Sequence, residues 1–469
     1  MFQYQLLAEQ LIQKIFSGEL IAGQKLNSLR VYAQQQNISL NTAKSCYELL
    51  EAKGYVYSKE KSGYFVKSIP VENLEPIYDD FSTQARSISN FELQQEIQNA
   101  EINHHLVHLG SIQLSPDLIP TVELRRSIQR ALKMCKPEDF LYSERQGNTQ
   151  LRHAISQHWA EDGVFISQDE IFITNGCMAA LSVVIQTITK QGDSIIIPTP
   201  TFNGQLQLLA SLNRKIVEIP AHQNGFDLER LEHAIKYSGA KACLLTANYQ
   251  NPIGFCLSNE DKQKIAELAE QYQCYIIEDD IYAECGFSSH RPLPIQYWDQ
   301  AGYVIYCGSI SKSLSSAYRV GWFCVPNQLM HLKSDFLNKN IVVNTPLQLG
   351  LADLIYSRAY RNHLNKLRPQ LMYQVEKFRQ HILKEFDGVN IRINQPQGGY
   401  CIWIQFPENI QSLELYRFAQ AHRINIVPGI VFGEDERYAN FIRLNAGYGL
   451  SNQVKEAISL LADWVRKQL

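Results

Sequence analysis

Apolar residues recur along this chain with two different periods. In QYQLLAEQLIQKIFSG (3–18), Leu7, Leu11 and Ile15, with Leu6, Ile12 and Phe16, fall on one helical face, which predicts an amphipathic helix stopped by Gly18. SLRVYAQQQ (28–36) predicts a short second helix with Asn27 or Ser28 as N-cap. LNTAKSCYELLEAK (40–53) predicts a third, between a Ser39 cap and Gly54. YVYSKEKSGYFV (55–66) is two short β-rich runs about a Lys/Glu/Ser/Gly turn, and reads as a hairpin. The text then turns polar and acidic without clear periodicity (68–90), as a linker would, with a helical pattern in FELQQEIQNAEI (91–102). From about residue 105, seven apolar runs appear: EIFITNG, DSIIIPTP, KIVEIP, KACLLTAN, CYIIEDD, YVIYCGS and VGWFCVP. Amphipathic stretches such as SNEDKQKIAELAEQYQ separate most of them, which predicts a mainly parallel sheet covered by helices. After about residue 335 the pattern is helical, then carries VNIRINQPQGGYCIWIQF and NFIRLNAGY, as a smaller α+β part would.

The expected organisation is therefore a winged helix-turn-helix over 1–67, a linker over 68–104 and an α/β body over 105–469. The body divides into a large part (105–334) and a small part (335–469). The length of 469 residues suits two or three domains, and 45% hydrophobic residues suffice for large cores. A net charge of −3 excludes a general polyanion binder, so charge has to be read locally. Residues 1–67 hold eight Lys/Arg against five Asp/Glu, a local excess suited to phosphate contacts. The third helix opens on short polar side chains, as an end that enters a major groove would; a solvated helix of an accessory domain has the same pattern. The ten cysteines form no CxxC pair or zinc spacing, which suits reduced thiols in the cytoplasm. The N-terminus lacks a secretory pattern, and no apolar run approaches the ~20 residues that span a bilayer.

Chemistry gathers at the ends of the apolar runs. GSISKSLSSAYRVGW (308–322) sets Lys312 among serines, with Arg319 seven positions on. A lysine amine can anchor an aldehyde cofactor covalently, and pyridoxal phosphate supplies the aldehyde. Such a cofactor needs a carboxylate at its ring nitrogen, donors at its 3′ oxygen, a cationic phosphate cup and a flat cover. Asp279 can serve the first need, Asn251 and Tyr282 the second, Ser309 and Arg319 the third, and Phe202 the fourth. The backbone amides of Cys177 and Met178, where a strand passes into a helix, add to the phosphate cup. Singly, each is as readily a cap, a turn, a core ring or an ion-pair partner.

These motifs carry two resemblances. The N-terminal stretch, with I.SGEL.AGQKL, SLR.YA, IS.NTA…YELLE.KGYV and SGYFV, resembles the GntR-family DNA-binding domain. Asn27 stands where that family usually has proline, and Leu40 where arginine is common. The resemblance implies that Arg30, Ser39, Asn41, Thr42 and Lys44 meet the groove and phosphates, with Gly63 at the wing tip. The body resembles the fold-type I, class I/II aminotransferases through Y….G…LR (Tyr142, Gly147, Leu151, Arg152), P.PTF, NPIG, EDDIY, S.SK……R.GW, GGY..W and FIRLN. It implies that Lys312 anchors the cofactor, Asp279 pairs with the ring nitrogen, and Asn251 and Tyr282 bond the 3′ oxygen. By the same resemblance Ser309 and Arg319 hold the phosphate, Tyr142 reaches a phosphate in a neighbouring subunit, and Arg443 clamps a substrate carboxylate. Cys177 and Met178 depart from it by offering no side-chain hydroxyl or ammonium.

Joined in this order, the halves resemble the MocR subfamily of transcription regulators. That implies a cytoplasmic homodimer on double-stranded promoter DNA, with pyridoxal phosphate as sensor and an amino compound, or the cofactor itself, as effector. An aminotransferase with an accessory DNA-binding domain remains open at this point, as does a DNA-binding protein whose body no longer holds cofactor.

Overall fold

The computed structural model describes residues 3–16, 20, 24–53, 55–59, 63–67, 82–88, 96–97, 106–142, 144–340 and 344–469. Gly18, Gly54 and most of 68–104 lie outside them, as does most of the helix expected over 91–102. The described chain forms two compact units, Met1–Glu72 and Asn73–Leu469.

In the first unit α1 (Gln3–Phe16), α2 (Leu29–Gln35) and α3 (Leu40–Ala52) precede β1 (Val56–Lys59) and β2 (Gly63–Val66), an antiparallel pair. Leu7, Leu11 and Ile12 are buried as the pattern requires, whereas Leu6 faces solvent and Ala8 takes the inward position. Ser28, not Asn27, caps α2, accepting from Val31 N–H; the Asn27 side chain reaches Gln35 instead. Ser39 caps α3 by accepting from Thr42 N–H at 3.0 Å. Tyr47 ties the unit together: its hydroxyl donates to the Asn27 carbonyl, and its ring meets Tyr32 and Tyr64.

The second unit begins, among described residues, with a surprise. Arg86, expected in a linker, exchanges two backbone hydrogen bonds with Ile216 and so pairs with the sheet. Its guanidinium reaches Asp435 and the buried Glu218. A polar, aperiodic sequence gave no sign of this because the bonds are made by backbone and by one long side chain.

Strand β3 (Val107–His108) pairs with β14 (Ile424–Asn425). The main sheet has eight strands in the order β4-β11-β10-β9-β8-β5-β6-β7. They are β4 (Ile171–Thr174), β5 (Ser194–Thr199), β6 (Lys215–His222), β7 (Gly225–Phe226), β8 (Ala242–Leu245), β9 (Tyr275–Asp279), β10 (Val304–Ser309) and β11 (Gly321–Cys324). Strands β6, β5, β8, β9 and β10 run parallel, and β7, β11 and β4 join by antiparallel pairs. All seven apolar runs of the sequence are strands of this sheet. They read as unbroken apolar stretches because helices cover both faces. Along β9, Ile276 belongs to one core and Ile277 to the other, so alternation sends Glu278 and Asp279 to opposite faces.

The smaller part carries the sheet β12-β13-β16-β15, formed by β12 (Arg392–Ile393), β13 (Cys401–Gln405), β15 (Val427–Pro428) and β16 (Phe441–Asn445). The 27-residue helix Ala359–Glu385 precedes it.

Glu278 is fully buried and accepts from the amides of Ile295 (2.7 Å) and Gln296 (3.1 Å). Burial, with the Asp280 charge beside it, pushes its carboxyl up from 4.5 to about 8, those two amides pulling back. The folded chain then holds this proton where the unfolded chain has lost it, so stability falls as pH rises through that window. In thermal denaturation, the margin of wild type over Glu278→Gln is expected to shrink between about pH 5 and about pH 8. A margin independent of pH would contradict this.

Candidate functional site

The C-terminal ends of β5, β8, β9 and β10 lie along one edge of the sheet, the place where α/β sheets bind ligands. A cleft of about 690 Å³, its mouth included, opens there. Asp279 ends β9, and Lys312 follows three residues after β10; both line the cleft. Phe202 arrives from the end of β5, and Asn251 from the turn after β8. Tyr282 lines the same cleft, buried three residues beyond Asp279.

The phosphate-cup candidates come together at another strand end. β4 runs into the helix Cys177–Ile188 through Gly176, whose φ of +87° suits glycine. The first intrahelical bond recorded runs from Ala180 N–H to the Gly176 carbonyl, so the amides of Cys177 and Met178 precede the helical ladder and point out of the helix start. Arg319 lies against this turn and donates to the Asn175 carbonyl at 3.2 Å. A Cβ on Gly176 would stand 2.7 Å from the Arg319 guanidinium, and a Cβ on Gly321 would stand 2.5 Å from the Gly176 backbone. Two absent side chains thus let a cation and a helix start share one corner.

Asp279 is buried, and burial raises its carboxyl above the ordinary value. Three donors oppose that effect: Gln205 Nε2 to Oδ2 at 2.7 Å, Cys177 Sγ to Oδ1 at 3.3 Å and Ile281 N–H to Oδ1 at 3.3 Å. The Lys312 charge acts in the same direction. Tyr282 is pushed well above its usual range by burial, so its hydroxyl stays protonated.

Lys312 and Arg443 are held by a common strand of backbone. Lys312 Nζ donates to the Ile112 carbonyl at 2.6 Å. Arg443, on β16 and nearly inaccessible to solvent, donates to the Gly110 carbonyl at 2.5 Å and lies 3.5 Å from Asn251 Oδ1. Asn445, two residues along β16, donates to the carbonyls of Ser111 (2.6 Å) and Gln113 (3.1 Å). The segment 109–113 is therefore a strap laid between the Lys312 loop and the small sheet, with its carbonyls turned to both cations.

Three expected residues do not line the cleft: Arg443, which is bonded to the strap, and two more. The Ser309 hydroxyl donates to the Val320 carbonyl at 3.0 Å and meets Ser311 Oγ at 2.8 Å; Ser311 and Ser316, not Ser309, line the cleft. Tyr142 stands fully in solvent beside the exposed Phe140 and Leu141, and is not among the residues lining this chain's cleft. Gln205 and Thr246 are lining residues that sequence reasoning missed. Thr246 carried a usable signal, since it directly follows the apolar run Ala242–Leu245; Gln205 read as an ordinary helix residue.

In the first unit, Arg30, Asn41 and Lys44 are exposed, and Lys44 pairs loosely with Glu48 at 3.6 Å. Ser39 and Thr42 are partly spent on each other, with hydroxyl oxygens 2.8 Å apart. Gly63 opens β2 at φ +98°, next to the turn residues 60–62, which lie outside the described residues.

The arrangement is that of a cofactor-binding α/β enzyme fold, and comparison identifies which. The profile described as "Aminotransferase class I and II" matches residues 112–461, and the chain belongs to that family. It is also 32% identical, over the full length of both chains, to YdcR of Escherichia coli K12, described as an HTH-type transcriptional regulator. The HTH-type transcriptional regulator NorG of Staphylococcus aureus is 26% identical over 94% of this chain and 100% of its own. Among solved structures, kynurenine aminotransferase of Pyrococcus horikoshii superposes with a TM-score of 0.74 at 24% identity, covering 81% of this chain and 96% of that one. The α-aminoadipate aminotransferase LysN of Thermus thermophilus gives 0.71 at 22%, covering 81% and 95%. These likenesses show the fold of the body. No helix among the described residues is long and apolar enough to cross a membrane.

Gly321→Ala is expected to force β11 off the Gly176 turn and to lower stability by about 1–3 kcal/mol, read as a drop in denaturation midpoint. An unchanged midpoint would mean that the turn can retreat.

Proposed function

We propose that this chain is a cytoplasmic transcription regulator that grips double-stranded promoter DNA through its N-terminal unit and holds pyridoxal phosphate in the body's cleft. The observation that carries the reading is a single cleft uniting Lys312, the buried Asp279 and Arg319 at a helix start, in a chain related over its whole length to HTH-type regulators. An aminotransferase with an accessory DNA-binding unit has the cleft residues and the family of the body in its favour, but the full-length relatives favour the regulator.

The residues present fit pyridoxal phosphate. When bound, the cofactor supplies an aldehyde for an amine and a ring that draws electrons once its nitrogen is protonated. Lys312 offers the amine, Asp279 the carboxylate for the ring nitrogen, and Asn251 and Tyr282 the polar groups for the 3′ oxygen. Arg319, the Cys177 and Met178 amides and the hydroxyls of Ser311 and Ser316 surround the place for the phosphate. Phe202 supplies the flat cover. Tyr142, exposed with Phe140 and Leu141, suits a homodimer in which it completes the neighbour's cup.

Arg443 marks the effector as an amino compound with a carboxylate. An effector carboxylate at Arg443 would take the place of the Gly110 carbonyl on the guanidinium, and Lys312 would leave the Ile112 carbonyl to offer its amine to the cofactor's aldehyde. Both exchanges loosen the same strap, and the chain runs back from the strap to the DNA-gripping unit. A ligand that favours one strap position over the other then shifts the DNA-bound population by its difference in affinity. In the first unit, Arg30, Asn41 and Lys44 contact groove and phosphates, Ser39 and Thr42 shape the start of α3, and Gly63 lets the wing approach the backbone of the duplex.

DNA affinity of cofactor-loaded protein, measured while amino compounds are titrated in, tests the reading. At least one carboxylated amine is expected to change affinity about tenfold or more in wild type and to change nothing in Lys312→Ala. No response to any such compound, nor to the cofactor, in protein that binds its own promoter would contradict sensing. Separately, Arg30→Ala and Lys44→Ala are each expected to reduce the slope of log affinity against log salt by about one. An unchanged slope in the double variant removes these residues from the interface.

A further inference from the structure

Asp279 is held by a side chain that is itself held. Thr201 Oγ1 donates to Gln205 Oε1 at 2.8 Å, which fixes the orientation of the Gln205 amide and presents its NH₂ end to Asp279 Oδ2 at 2.7 Å. Thr201 and Gln205 are both nearly inaccessible to solvent, so water offers neither a ready substitute. They sit on either side of Phe202, the proposed ring cover, which starts the helix Asn203–Ser211. Gly204 completes the turn: a Cβ there would stand 2.4 Å from the Phe202 ring, so only glycine lets that ring fold back over its own helix. One short stretch, Thr201 to Gln205, thus places both the flat cover and the donor that aims the carboxylate.

A buried carboxylate is stable as an anion only while donors replace its lost hydration. The two sides of Asp279 differ in this respect. Oδ1 takes a thiol and a backbone amide, both long at 3.3 Å, whereas Oδ2 takes the short amide bond from Gln205. Resting on the pyridoxal phosphate reading above, we propose that Thr201 and Gln205 form a positioning relay that holds Asp279 ionised and aimed at the cofactor's ring nitrogen. Neither is a catalytic residue in this assignment; both act through Asp279.

The test measures cofactor dissociation by equilibrium dialysis, and the pH dependence of the bound cofactor's absorbance, in full-length protein. Gln205→Leu removes the donor and is expected to weaken binding about tenfold or more and to move the absorbance titration. Gln205→Glu, nearly the same shape, sets a second carboxyl against Asp279 and is expected to do at least as much. Thr201→Val is expected to follow Gln205→Leu in direction, and Thr201→Ser, which keeps the hydroxyl, to restore wild-type binding. Denaturation midpoints within a few degrees of wild type in Gln205→Glu separate positioning from collapse of the core. Wild type that takes up cofactor, with Gln205→Leu and Gln205→Glu indistinguishable from it in affinity and titration, overturns the relay alone. Wild type that takes up no cofactor overturns the functional reading and the relay with it.

Discussion

A carboxyl buried at the end of a sheet strand, which only well-placed donors can support, is the constraint around which this body is built. Asp279 ends a strand packed between two apolar cores, and burial there raises its carboxyl above the ordinary value. The fold compensates from several directions at once. Gln205 arrives after β5, Cys177 after β4, and Lys312 after β10. Only a sheet whose strands point the same way brings those ends to one edge, so the parallel order β5-β8-β9-β10 is what makes the electrostatics soluble. The glycines at 176 and 321 belong to the same solution: the first leaves room for the Arg319 guanidinium, and the second lets β11 lie against the Gly176 turn.

The strap adds the element that the proposed sensing requires. Its carbonyls hold Lys312 and Arg443 at 2.6 and 2.5 Å, which are short charge-assisted bonds. Neither cation is idle before a ligand arrives, and a ligand must offer each something better than a carbonyl. A carboxylate does so at Arg443, since two charged oxygens match a guanidinium more fully than one neutral oxygen. Under the proposed reading, recognition would be joined to the position of this backbone segment.

Much of this was legible because strand ends concentrate chemistry. The seven apolar runs became the strands of the sheet, and Lys312, Asp279, Asn251, Tyr282, Arg319 and Phe202 do meet in one cleft. What escaped has physical reasons. Gln205 is a polar residue on a helix, which by pattern belongs in water, and only tertiary packing turns it inward. Ser309 and Ser311 are equivalent by composition, but β10 continues through Ser309 and commits its hydroxyl to the Val320 carbonyl. Arg86 pairs through its backbone, which no side-chain pattern records. The strap likewise acts through carbonyls, so nothing in LGSIQ distinguishes it from an ordinary loop. Leu6 faced outward because Ala8 filled the inward position, a choice of packing between two residues that a helical wheel allows equally.

Borohydride reduction of protein saturated with pyridoxal phosphate, followed by peptide mass mapping, asks most directly whether the cleft does what its geometry equips it to do. One phosphopyridoxyl group on the peptide carrying Lys312 is the expected result. An unmodified Lys312 peptide from folded, saturated protein would contradict it.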